Sequence, residues 1–494
     1  MPSKTGPNPI NPLQVGDIIR VSAGRAPRRV AATKDGDHRT YAELEQMTGQ
    51  LIRALAARNV GQGDRVVWWG DTCLDAIPLW FALSRLGAVV VPMNPRATPE
   101  ESGPLLDLAD PALVVGDEAN EGDAHQGDPT HVTLSALLAD PARTGITEPV
   151  VDENDTHVIF FTSGSSGRPK GVELSHRATR LRTMGDAAMW PAGAMVCMFP
   201  QFHMAGWYGP MTVWTSADEV VYVERGDPEA LLEAVHARRA IRLYAIPAVW
   251  RRILDTDRSP YELSSLRFCD TGTSAVTPEL LTELAAAFPG TSTSITYGST
   301  EAGSVCRLWP QDIFRKPGSV GPPALGSEVR LGEGGELLVR NPVLMNGYFR
   351  DPEATAAALA GGWFHTGDLA EVDDEGYVSI VGRASDVIRT GGESVAPVEV
   401  DLVLQRMPGV ADAAVAGVPD AHWGEVICAF VVTRPGDTVD LGALRQHCEG
   451  KLAPFKHPRR LMLVDALPRT GATRQIQRRI LVEWALERAA NVPT

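Results

Sequence analysis

Short hydrophobic runs alternate along the chain with longer segments in which hydrophobic residues recur every three or four positions. The short runs have the length and composition of buried strands and lie at residues 65–69, 87–92, 157–161 and 219–223. Helical periodicity is clearest at residues 41–58 and 228–239. This alternation is typical of α/β proteins with largely parallel sheets, and we predict that architecture for most of the chain.

A polar, glycine-containing stretch at residues 382–393 interrupts this pattern. The part of the chain after it is long enough for a small α+β domain. Its predicted elements are a helix at 397–406, strands at 413–418 and 427–433, and an amphipathic terminal helix at 476–490. We therefore predict a large N-terminal body of several subdomains, residues 1–384, and a small mobile C-terminal cap, residues 385–494.

The amino-acid composition is typical of globular proteins. Of its 494 residues 44% are hydrophobic and 22% charged, so there is enough apolar surface to offset chain entropy, and extensive disorder is excluded. No apolar stretch approaches the roughly 18 residues that a membrane span needs. The start of the chain is polar and proline-rich and does not resemble a signal peptide. We expect a cytoplasmic protein that does not enter a membrane.

The charge balance restricts the partners. The chain has 46 basic and 61 acidic residues and a net charge of −15, so it has no general attraction for nucleic acid or anionic membranes. An anionic ligand must instead be captured by a local site. The six cysteines are scattered without a C-x-x-C pair, which favours reduced buried thiols over disulfides or zinc ligands. The polar run at residues 117–130 predicts a surface loop.

A glycine- and hydroxyl-rich segment, FFTSGSSGRPKGV at residues 160–172, follows one of the predicted strands. Small residues let backbone N–H groups approach phosphate oxygens, and a lysine adds positive charge. The spacing differs from that of the Walker P-loop. The candidate phosphate-binding residues are Thr162, Ser163, Gly164, Ser165, Ser166, Gly167 and Lys170. A flexible surface loop is the alternative interpretation.

This segment resembles the signature loop of the adenylate-forming (ANL) superfamily, which contains acyl-CoA synthetases, adenylation domains of peptide synthetases and beetle luciferases. Further motifs follow in that superfamily's order. They are TYAEL at 40–44, PQFHMAG at 200–206, YGSTE at 297–301, WFHTGD at 363–368, GRASD at 382–386, GGE at 391–393 and PDAHWGE at 419–425. The resemblance extends from about residue 17 to residue 480. Within the superfamily, the chain is most similar to the acyl-CoA synthetases.

The resemblance implies a two-step reaction. A carboxylate attacks the α-phosphate of Mg-ATP to give an acyl-adenylate (acyl-AMP) and pyrophosphate. The cap then rotates about a hinge at Ser385, and a thiol, usually that of coenzyme A, attacks the acyl carbonyl and expels AMP. Glu301 is implied near Mg²⁺, and Asp368 and Arg383 near the ribose hydroxyls. For Asp368, a turn residue or helix cap is the alternative.

The resemblance also implies the other site residues by motif position. Around the nucleotide they are Gly272, Thr273, Ser274, Tyr297, Gly298 and Thr300. The acyl pocket is assigned to His203, Gly206 and Trp207. The coenzyme A side is assigned to Gly391, Gly392, Glu393, Ser394, Trp423, Gly424, Glu425 and Lys456, of which the first three are also catalytic candidates. A satisfied core histidine is the alternative for His203.

One motif departs from the superfamily pattern. A cap lysine normally bridges the substrate carboxylate and the α-phosphate, but the corresponding segment here is LPRTGATRQIQR at residues 467–478. Counting forward from Pro468 puts Arg474 at the lysine position, and we assign the role to it; counting back from Ile476 puts Gln475 there. Neither count finds a lysine, and the adjacent glycine is also missing.

The chemistry determines what this departure predicts. Negative charge develops on the phosphate only during adenylation, whereas thioester formation needs an oriented thiol and a good leaving group. Arginine is not a conservative replacement for the compact lysine ammonium. We therefore predict that acyl-AMP + CoA → acyl-CoA + AMP is retained while adenylation is weak or absent, with a separate adenylating enzyme as partner. The alternatives are a complete ATP-dependent synthetase, a non-catalytic acyl-adenylate binder, or a luciferase-like oxygenase.

The sequence indicates the chemical class of the carboxylic acid substrate but not its identity. Relatives that activate α-amino acids have an aspartate after the motif phenylalanine, and the FHMAG segment at 202–206 has none, so a plain carboxylic acid is preferred. Aromatic and other large residues could shape a pocket for a polycyclic, aryl or medium-chain acid, or could simply belong to the core. They are Trp190, Trp207, Tyr208, Met211, Trp214 and Tyr244. The Ala-, Arg- and Gly-rich composition associates the chain with secondary metabolism.

Overall fold

The computed structural model describes residues 13–117, 130–140, 147–163, 169–470 and 474–490. Within them the helices are α1 (Asp17–Arg25), α2 (Tyr41–Ala57), α3 (Ile77–Leu86), α4 (Pro99–Ala109), α5 (Leu134–Ala139), α6 (His176–Met189), α7 (Ala205–Thr215), α8 (Pro228–Arg238), α9 (Pro247–Asp255), α10 (Pro278–Ala287), α11 (Pro352–Ala358), α12 (Pro397–Leu404), α13 (Leu441–Cys448) and α14 (Arg478–Ala490). Among these residues no helix has the length and hydrophobicity to span a membrane. Most of the predicted loop at 117–130 lies outside the described residues.

The strands occupy the short hydrophobic runs. They are β1 (Val30–Lys34), β2 (Asp37–Thr40), β3 (Arg65–Trp69), β4 (Val89–Met93), β5 (Leu113–Gly116), β6 (His131–Thr133), β7 (Thr156–Ser163), β8 (Pro169–Ser175), β9 (Met195–Cys197), β10 (Val220–Tyr222), β11 (Arg242–Tyr244), β12 (Phe268–Gly272), β13 (Ile295–Ser299), β14 (Gly303–Leu308), β15 (Glu328–Leu331), β16 (Glu336–Arg340), β17 (Gly347–Tyr348), β18 (Phe364–Val372), β19 (Val378–Arg383), β20 (Ile388–Thr390), β21 (Glu393–Val395), β22 (Val410–Asp420), β23 (Gly424–Thr433) and β24 (Arg460–Leu463). The predicted strands and helices of the body are confirmed to within a few residues.

Helix starts in the body follow local side-chain chemistry. Before α2, the Thr40 hydroxyl accepts a hydrogen bond from the Glu43 N–H, and the Glu43 carboxylate accepts one from the Thr40 N–H. Thr98 and Glu101 form the same reciprocal pair at the start of α4. Each pair satisfies N–H groups that a helix end would otherwise leave without partners. The sequence alone therefore determines where these helices begin.

Two large sheets form most of the body. One has eight strands in the order β14-β13-β12-β11-β9-β10-β1-β2, and the other has seven in the order β17-β8-β7-β4-β3-β5-β6. Neighbouring strands inside both sheets are parallel, and antiparallel strands lie at their edges. One large hydrophobic cluster includes side chains from both sheets and the helices around them. The prediction of largely parallel sheets is confirmed for this part of the chain.

A four-stranded sheet closes the body, in the order β15-β16-β18-β19. Its β18–β19 pair is antiparallel and brings Asp368 directly opposite Arg383, residues from two motifs that are 15 positions apart. The second of these residues ends β19, immediately before the cap. This sheet therefore links the nucleotide motifs to the junction between body and cap.

The cap is built on a fifth sheet, with β21-β20-β23-β22 in order and β24 paired with β23. Successive residues of β22 point to opposite faces. Ala413 and Val415 join a core with α12 and α13, whereas Ala414 and Ala416 join a second core with α14. The predicted α+β cap after a large α/β body is confirmed, and all six cysteines are free thiols, as predicted.

Candidate active site

A cavity of about 970 Å³ lies where the body meets the cap. Its walls come from the large sheets, from α6 and α7, from the β18–β19 sheet and from the segment before α14. The hinge candidate Ser385 also lines it, in the short turn Ala384–Asp386. The cavity therefore collects residues from the 160–172 loop, from the PQFHMAG, YGSTE, WFHTGD and GRASD motifs and from the 467–478 segment, although these span some 300 positions of sequence.

The phosphate-loop motif lies at one end of the cavity. Thr162 and Lys170 face each other across the β7–β8 hairpin and both line the cavity, and Ser163 ends β7. The Lys170 Nζ lies 4.6 Å from the centre of the Tyr348 ring. The five residues between the strands, 164–168, lie outside the described residues; they include the candidates Gly164, Ser165, Ser166 and Gly167. The hairpin thus brings the loop's two ends to the cavity.

Glu301 lines the cavity beside this hairpin, together with Thr300 and Gly298 from the end of β13. Its Oε1 accepts a hydrogen bond from the Tyr348 hydroxyl at 3.1 Å. Burial and the neighbouring carboxylate raise the pKa of Tyr348, so this hydroxyl keeps its proton. A single carboxylate is sufficient for a Mg²⁺ ion whose other ligands are phosphate oxygens and water.

The two predicted ribose ligands are already bonded to protein. Asp368 accepts a hydrogen bond from the Tyr297 hydroxyl at 2.5 Å on Oδ2 and pairs through Oδ1 with the Arg383 Nε at 2.8 Å. Burial raises the pKa of Asp368, and Arg383 partly offsets that rise. Arg383 lines the cavity with Thr366 and Gly367, and Asp368 lies directly behind that wall, 8% exposed.

The turn after β12 forms the side of the cavity next to the cap. Gly272 has no room for a side chain, because a Cβ would lie 2.4 Å from the Thr296 carbonyl oxygen and 2.6 Å from the Tyr244 hydroxyl. Thr273 follows with a positive φ of 73° and lines the cavity. Ser274 is exposed and does not line it. Of the three residues assigned to this turn, only Thr273 lines the cavity.

The predicted acyl motif divides between the cavity wall and the core. His203 lines the cavity, and its Nδ1 accepts a hydrogen bond from the Ala205 N–H at 3.1 Å. Burial lowers the pKa of His203 to about 4, so the ring is neutral near pH 7. Gly206 does not line the cavity; it lets α7 approach Pro200, whose carbonyl oxygen would lie 2.2 Å from a Cβ.

The assignment of Trp207 to the acyl pocket is wrong in this structure. Its side chain is 2% exposed and stacks on Trp80 with ring centres 3.6 Å apart, because one helical step turns it from the cavity into the core. Met211 and Trp214 are also fully buried, and Trp190 does not line the main cavity. Tyr208 and Tyr244 are the two members of that aromatic set that do.

The cap segment before α14 reaches the cavity through Gln475. Its Nε2 donates a hydrogen bond to the Thr273 carbonyl oxygen at 3.1 Å, and it lines the cavity with Thr470 and Gln477. Arg474 has a positive φ of 56° and does not line the cavity; its carbonyl oxygen accepts from the Arg469 Nη1 at 2.7 Å. In this structure the Gln475 side chain therefore lines the cavity, whereas that of Arg474, the residue assigned to the lysine position from sequence, does not.

The residues assigned to the coenzyme A side gather on the cap. Gly391, Gly392, Glu393 and Ser394 lie in the β20–β21 hairpin, and Trp423, Gly424 and Glu425 lie beside it at the start of β23. The Gly391 N–H donates to the Trp423 carbonyl oxygen at 2.9 Å. None of these seven described residues lines the cavity in this arrangement. Lys456 lies apart from them and pairs with Glu399 at 2.5 Å.

Five charged residues on the cavity wall were not identified from sequence: Arg182, Asp186, Arg242, Arg307 and Glu336. Arg182 is buried and donates hydrogen bonds to the main-chain carbonyls of Thr300, Glu301 and Val343. Burial lowers its pKa to about 10, so it remains charged near neutral pH. In the sequence these residues look like ordinary charged positions of helices and strands, so only their burial identifies them.

Filling the space above Gly209 should narrow the acyl part of the cavity. Gly209 lines the cavity from α7, and a Cβ there would lie 3.1 Å from the Met195 Cε. We expect Gly209→Leu to weaken binding of bulky acyl-adenylates at least tenfold and that of AMP little, measured by calorimetry. Gly185→Leu is the matched helical control, because a Cβ there meets nothing within 4 Å. Equal losses for AMP and bulky adenylates would contradict this placement.

Comparison with known protein families covers both parts of the chain. Residues 19–349 match the AMP-binding enzyme family, and residues 399–474 match the AMP-binding enzyme C-terminal domain. The first match alone includes more than half of the sequence. The two matched regions flank the junction predicted from the polar stretch.

Similar proteins include two bacterial CoA ligases. The chain is 35% identical over 469 residues to 3-[(3aS,4S,7aS)-7a-methyl-1,5-dioxo-octahydro-1H-inden-4-yl]propanoyl:CoA ligase of Mycobacterium tuberculosis, covering 88% of this chain and 91% of that protein. It is 32% identical over 490 residues to indoleacetate–CoA ligase of Aromatoleum aromaticum, covering 93% and 96%.

Solved structures agree over nearly the whole length. o-Succinylbenzoate CoA synthetase (MenE) of Bacillus subtilis, in complex with the acyl-adenylate intermediate OSB-AMP, superposes with a TM-score of 0.87 at 26% identity and covers 94% of this chain and 97% of its own. ATP-bound MatB of Rhodopseudomonas palustris superposes with a TM-score of 0.86 at 29% identity and covers 96% and 99%.

Proposed function

The chain belongs to the AMP-binding enzyme family and is an acyl-CoA ligase, and on that premise we propose that it works mainly in the second half-reaction. In this proposal it forms an acyl-CoA thioester from an acyl-adenylate and coenzyme A, and its own ATP-dependent adenylation is weak or absent. The observation that carries the proposal is Gln475, a neutral amide at the point where the cap meets the cavity.

A neutral amide is a poor substitute for a lysine ammonium during adenylation. When the substrate carboxylate attacks the α-phosphate, negative charge builds up on the phosphate oxygens, and a positioned cation lowers that barrier by an amount worth about 10²–10³ in rate. The Gln475 amide can donate one hydrogen bond there but brings no charge. Its present acceptor, the Thr273 carbonyl, also competes for that donor. Adenylation should therefore be slow.

Thioester formation does not depend on that cation. The thiolate sulfur attacks the acyl carbonyl carbon, a C–S bond forms, and the C–O bond to the AMP phosphate breaks with both electrons leaving on AMP. AMP is already a stable anion and needs no added proton to leave. The chain's part is to bind the adenylate in the cavity and to admit the thiol from the cap side.

The proposed roles of the site residues follow from their positions. Thr162, Lys170 and Thr300 would hold the phosphate, and Asp368 with Arg383 would hold the ribose. Glu301 would hold Mg²⁺ if ATP is used, and the ion would supply charge for the phosphates. The hairpin with Gly391 and Trp423 lies away from the cavity, so the proposal includes a rotation of the cap about Ser385 before the thiol enters.

A second candidate is the complete ATP-dependent synthetase, and one observation favours it. Lys170 and Arg383 both line the cavity, and Arg474 is adjacent to Gln475 in the chain, so cations are present near the phosphate position. An ammonium or guanidinium that reached the α-phosphate would replace the missing lysine. The two candidates differ only in whether the free acid is activated by this protein or by a separate adenylating enzyme.

The acid is proposed to be a ring-bearing carboxylic acid. The named acyl groups of three similar ligases, a bicyclic propanoyl group, indoleacetate and 2-succinylbenzoate, all contain rings. The cavity has the volume for such a group in addition to a nucleotide, and Phe199, Phe202 and Tyr208 give it flat apolar surfaces. An α-amino acid remains disfavoured, because the 202–206 segment has no aspartate to pair with an amino group.

The two half-reactions can be measured separately. Free ring-bearing acids with Mg-ATP are assayed for pyrophosphate release, and the matching synthetic acyl-adenylates with coenzyme A are assayed for thioester. We expect thioester formation from the adenylates to exceed pyrophosphate release from the acids by about 10²-fold or more. Fast pyrophosphate release would instead establish the complete synthetase. Binding of adenylates without thioester would identify a non-catalytic binding protein.

A further inference from the structure

One end of the cavity is polar. Arg242 pairs through Nε with the Asp270 Oδ2 at 2.8 Å, and Arg307 pairs through Nη2 with the Asp186 Oδ2 at 3.1 Å. The centre of the Trp190 ring lies 4.0 Å from the first guanidinium and 5.5 Å from the second. An apolar acyl group would make no favourable contact with such a lining. This end of the cavity is therefore suited to a polar part of the ligand.

Strand register gives the level of the Arg242 donors relative to the turn at Thr273. Arg242 begins β11, and its guanidinium reaches Asp270 on β12. Thr273, which faces the cap beside Gln475, follows three residues after Asp270. At 3.3 Å per residue these two levels are separated by about 10 Å. That length suits the far end of a ring-bearing acyl group whose carboxyl carbon is at the adenylate.

The accessible donors at this end belong to Arg242. Its Nε donates to Asp270, but within the described residues its two Nη groups have no hydrogen-bond acceptor. The side chain is 15% exposed and lines both the main cavity and a small adjoining pocket that contains Trp190. Arg307 is more deeply buried; its guanidinium faces the rings of Trp190 and Trp309. A guanidinium fixed by one edge with its other edge toward a cavity is arranged to donate to a ligand oxygen.

The charges at this end already balance. Arg242 and Arg307 carry two positive charges, and Asp186 and Asp270 carry two negative ones, in two direct pairs. Asp186 is further held by the Tyr208 hydroxyl at 2.6 Å. A second carboxylate on the acid would bury an extra negative charge beside these pairs, which is costly. A neutral acceptor, such as a ketone oxygen, satisfies the donors without adding charge.

We propose that Arg242 recognises a neutral acceptor oxygen at the far end of the acyl group, so that the substrates are ring-bearing carboxylic acids with a distal keto oxygen. This deepens the proposed function and rests on it only in one respect, that the cavity holds the acyl group. It does not depend on which half-reaction the protein performs. Arg242 acts here as a binding residue that selects the acid, remote from the bond that reacts.

Non-hydrolysable acyl-sulfamoyl-adenosines test the proposal without any catalysis. Three of them share one fused two-ring skeleton and differ at its far carbon, which is a methylene, a ketone or a carboxylate-bearing carbon. We expect calorimetry on the full-length protein to give about 10–100-fold tighter binding for the ketone than for the methylene, as for hydrogen bonds to a charged donor. The carboxylate analogue should bind more weakly than the ketone.

The same three analogues are then measured with Arg242→Met. Asp270 keeps two hydrogen bonds from Ser294 in that variant, from the N–H at 3.2 Å and from the hydroxyl at 2.7 Å. We expect the preference for the ketone to disappear while AMP affinity is unchanged. Arg251→Met is the matched control and should retain the preference, because the Arg251 side chain is exposed, pairs with Glu283 and does not line the cavity.

Two results would overturn the proposal. One is equal or tighter binding of the methylene analogue by the unaltered protein, and the other is tightest binding of the carboxylate analogue. Should Arg242→Met fail to fold, the comparison of the three analogues on the unaltered protein still decides. A protein that adenylates free acids rapidly would refute the divided reaction proposed above and leave the order of these affinities as it is.

Discussion

Gln475→Lys should raise pyrophosphate release from free acid and Mg-ATP by about 10²–10³-fold. The Gln475 amide already reaches the cavity and lies 3.1 Å from the Thr273 carbonyl oxygen. A lysine at the same position would bring a compact ammonium to the edge of the cavity, with a side chain long enough to leave the carbonyl and approach the α-phosphate. Thioester formation from a supplied adenylate should change little, because no new charge develops there.

Arg474→Lys is the matched control for this gain. Arg474 is the neighbouring residue, but its side chain does not line the cavity and its backbone is held in a positive-φ turn by the bond from Arg469. A lysine there should therefore leave pyrophosphate release unchanged. If Arg474→Lys restores adenylation and Gln475→Lys does not, the assignment of Gln475 to the lysine position is wrong. Rapid pyrophosphate release by the unaltered protein would show that adenylation needs no lysine at this position, and would contradict the expected gain.

Asp368→Ala should weaken acyl-adenylate binding by about 10–100-fold, whichever half-reaction the protein performs. The carboxylate holds the Tyr297 hydroxyl at 2.5 Å and the Arg383 Nε at 2.8 Å. Its removal takes away the proposed acceptor for the ribose hydroxyls. It also leaves the buried Tyr297 hydroxyl without its acceptor and releases Arg383 from the cavity wall. Calorimetric titration with acyl-sulfamoyl-adenosine measures the loss.

The control for this variant is Asp373→Ala. Asp373 follows the end of β18, and its carboxylate pairs with Lys316 at 2.6 Å on the outside of the body. Its loss should leave adenylate affinity unchanged and affect stability slightly, as expected for an exposed ion pair. Asp368→Asn separates the two effects, since the amide keeps the shape but loses the charge. Unchanged affinity in Asp368→Ala would rule out the ribose role.

Local patterns gave the secondary structure because the forces behind them are local. The Thr40–Glu43 capping box lies within four residues, and the run at 65–69 became β3 because its four consecutive apolar residues after Arg65 can be buried on both faces of a parallel sheet. The division into body and cap was likewise visible, because the polar, glycine-containing stretch at 382–393 interrupts the hydrophobic pattern on either side of it. Sheet order was not visible, since it depends on contacts between distant segments.

The motifs predicted well which residues lie at the cavity. They predicted less well what each residue does there. Lys170, Thr300, Glu301 and Arg383 all line it, as residues of contiguous motifs would. Trp207 was misassigned because a motif gives sequence neighbours, whereas consecutive residues of α7 point about 100° apart and only one face meets the cavity. Asp368 was assigned to the ribose, but no sequence pattern indicated that Tyr297 and Arg383 bond to it.

What the sequence determined by itself is the composition of the site: no lysine in the segment 467–478, no aspartate in 202–206, and a family pattern over nearly the whole chain. Only the tertiary structure distinguished Arg474 from Gln475 by position, because the two counts of the motif were equally valid and in the fold only the Gln475 side chain lines the cavity, next to a positive-φ turn at Arg474. The polar patch at Arg242 was likewise decided by folding alone. Its pairs join residues 28 and 121 positions apart, and the cost of burying their charges exists only once the chain has enclosed them.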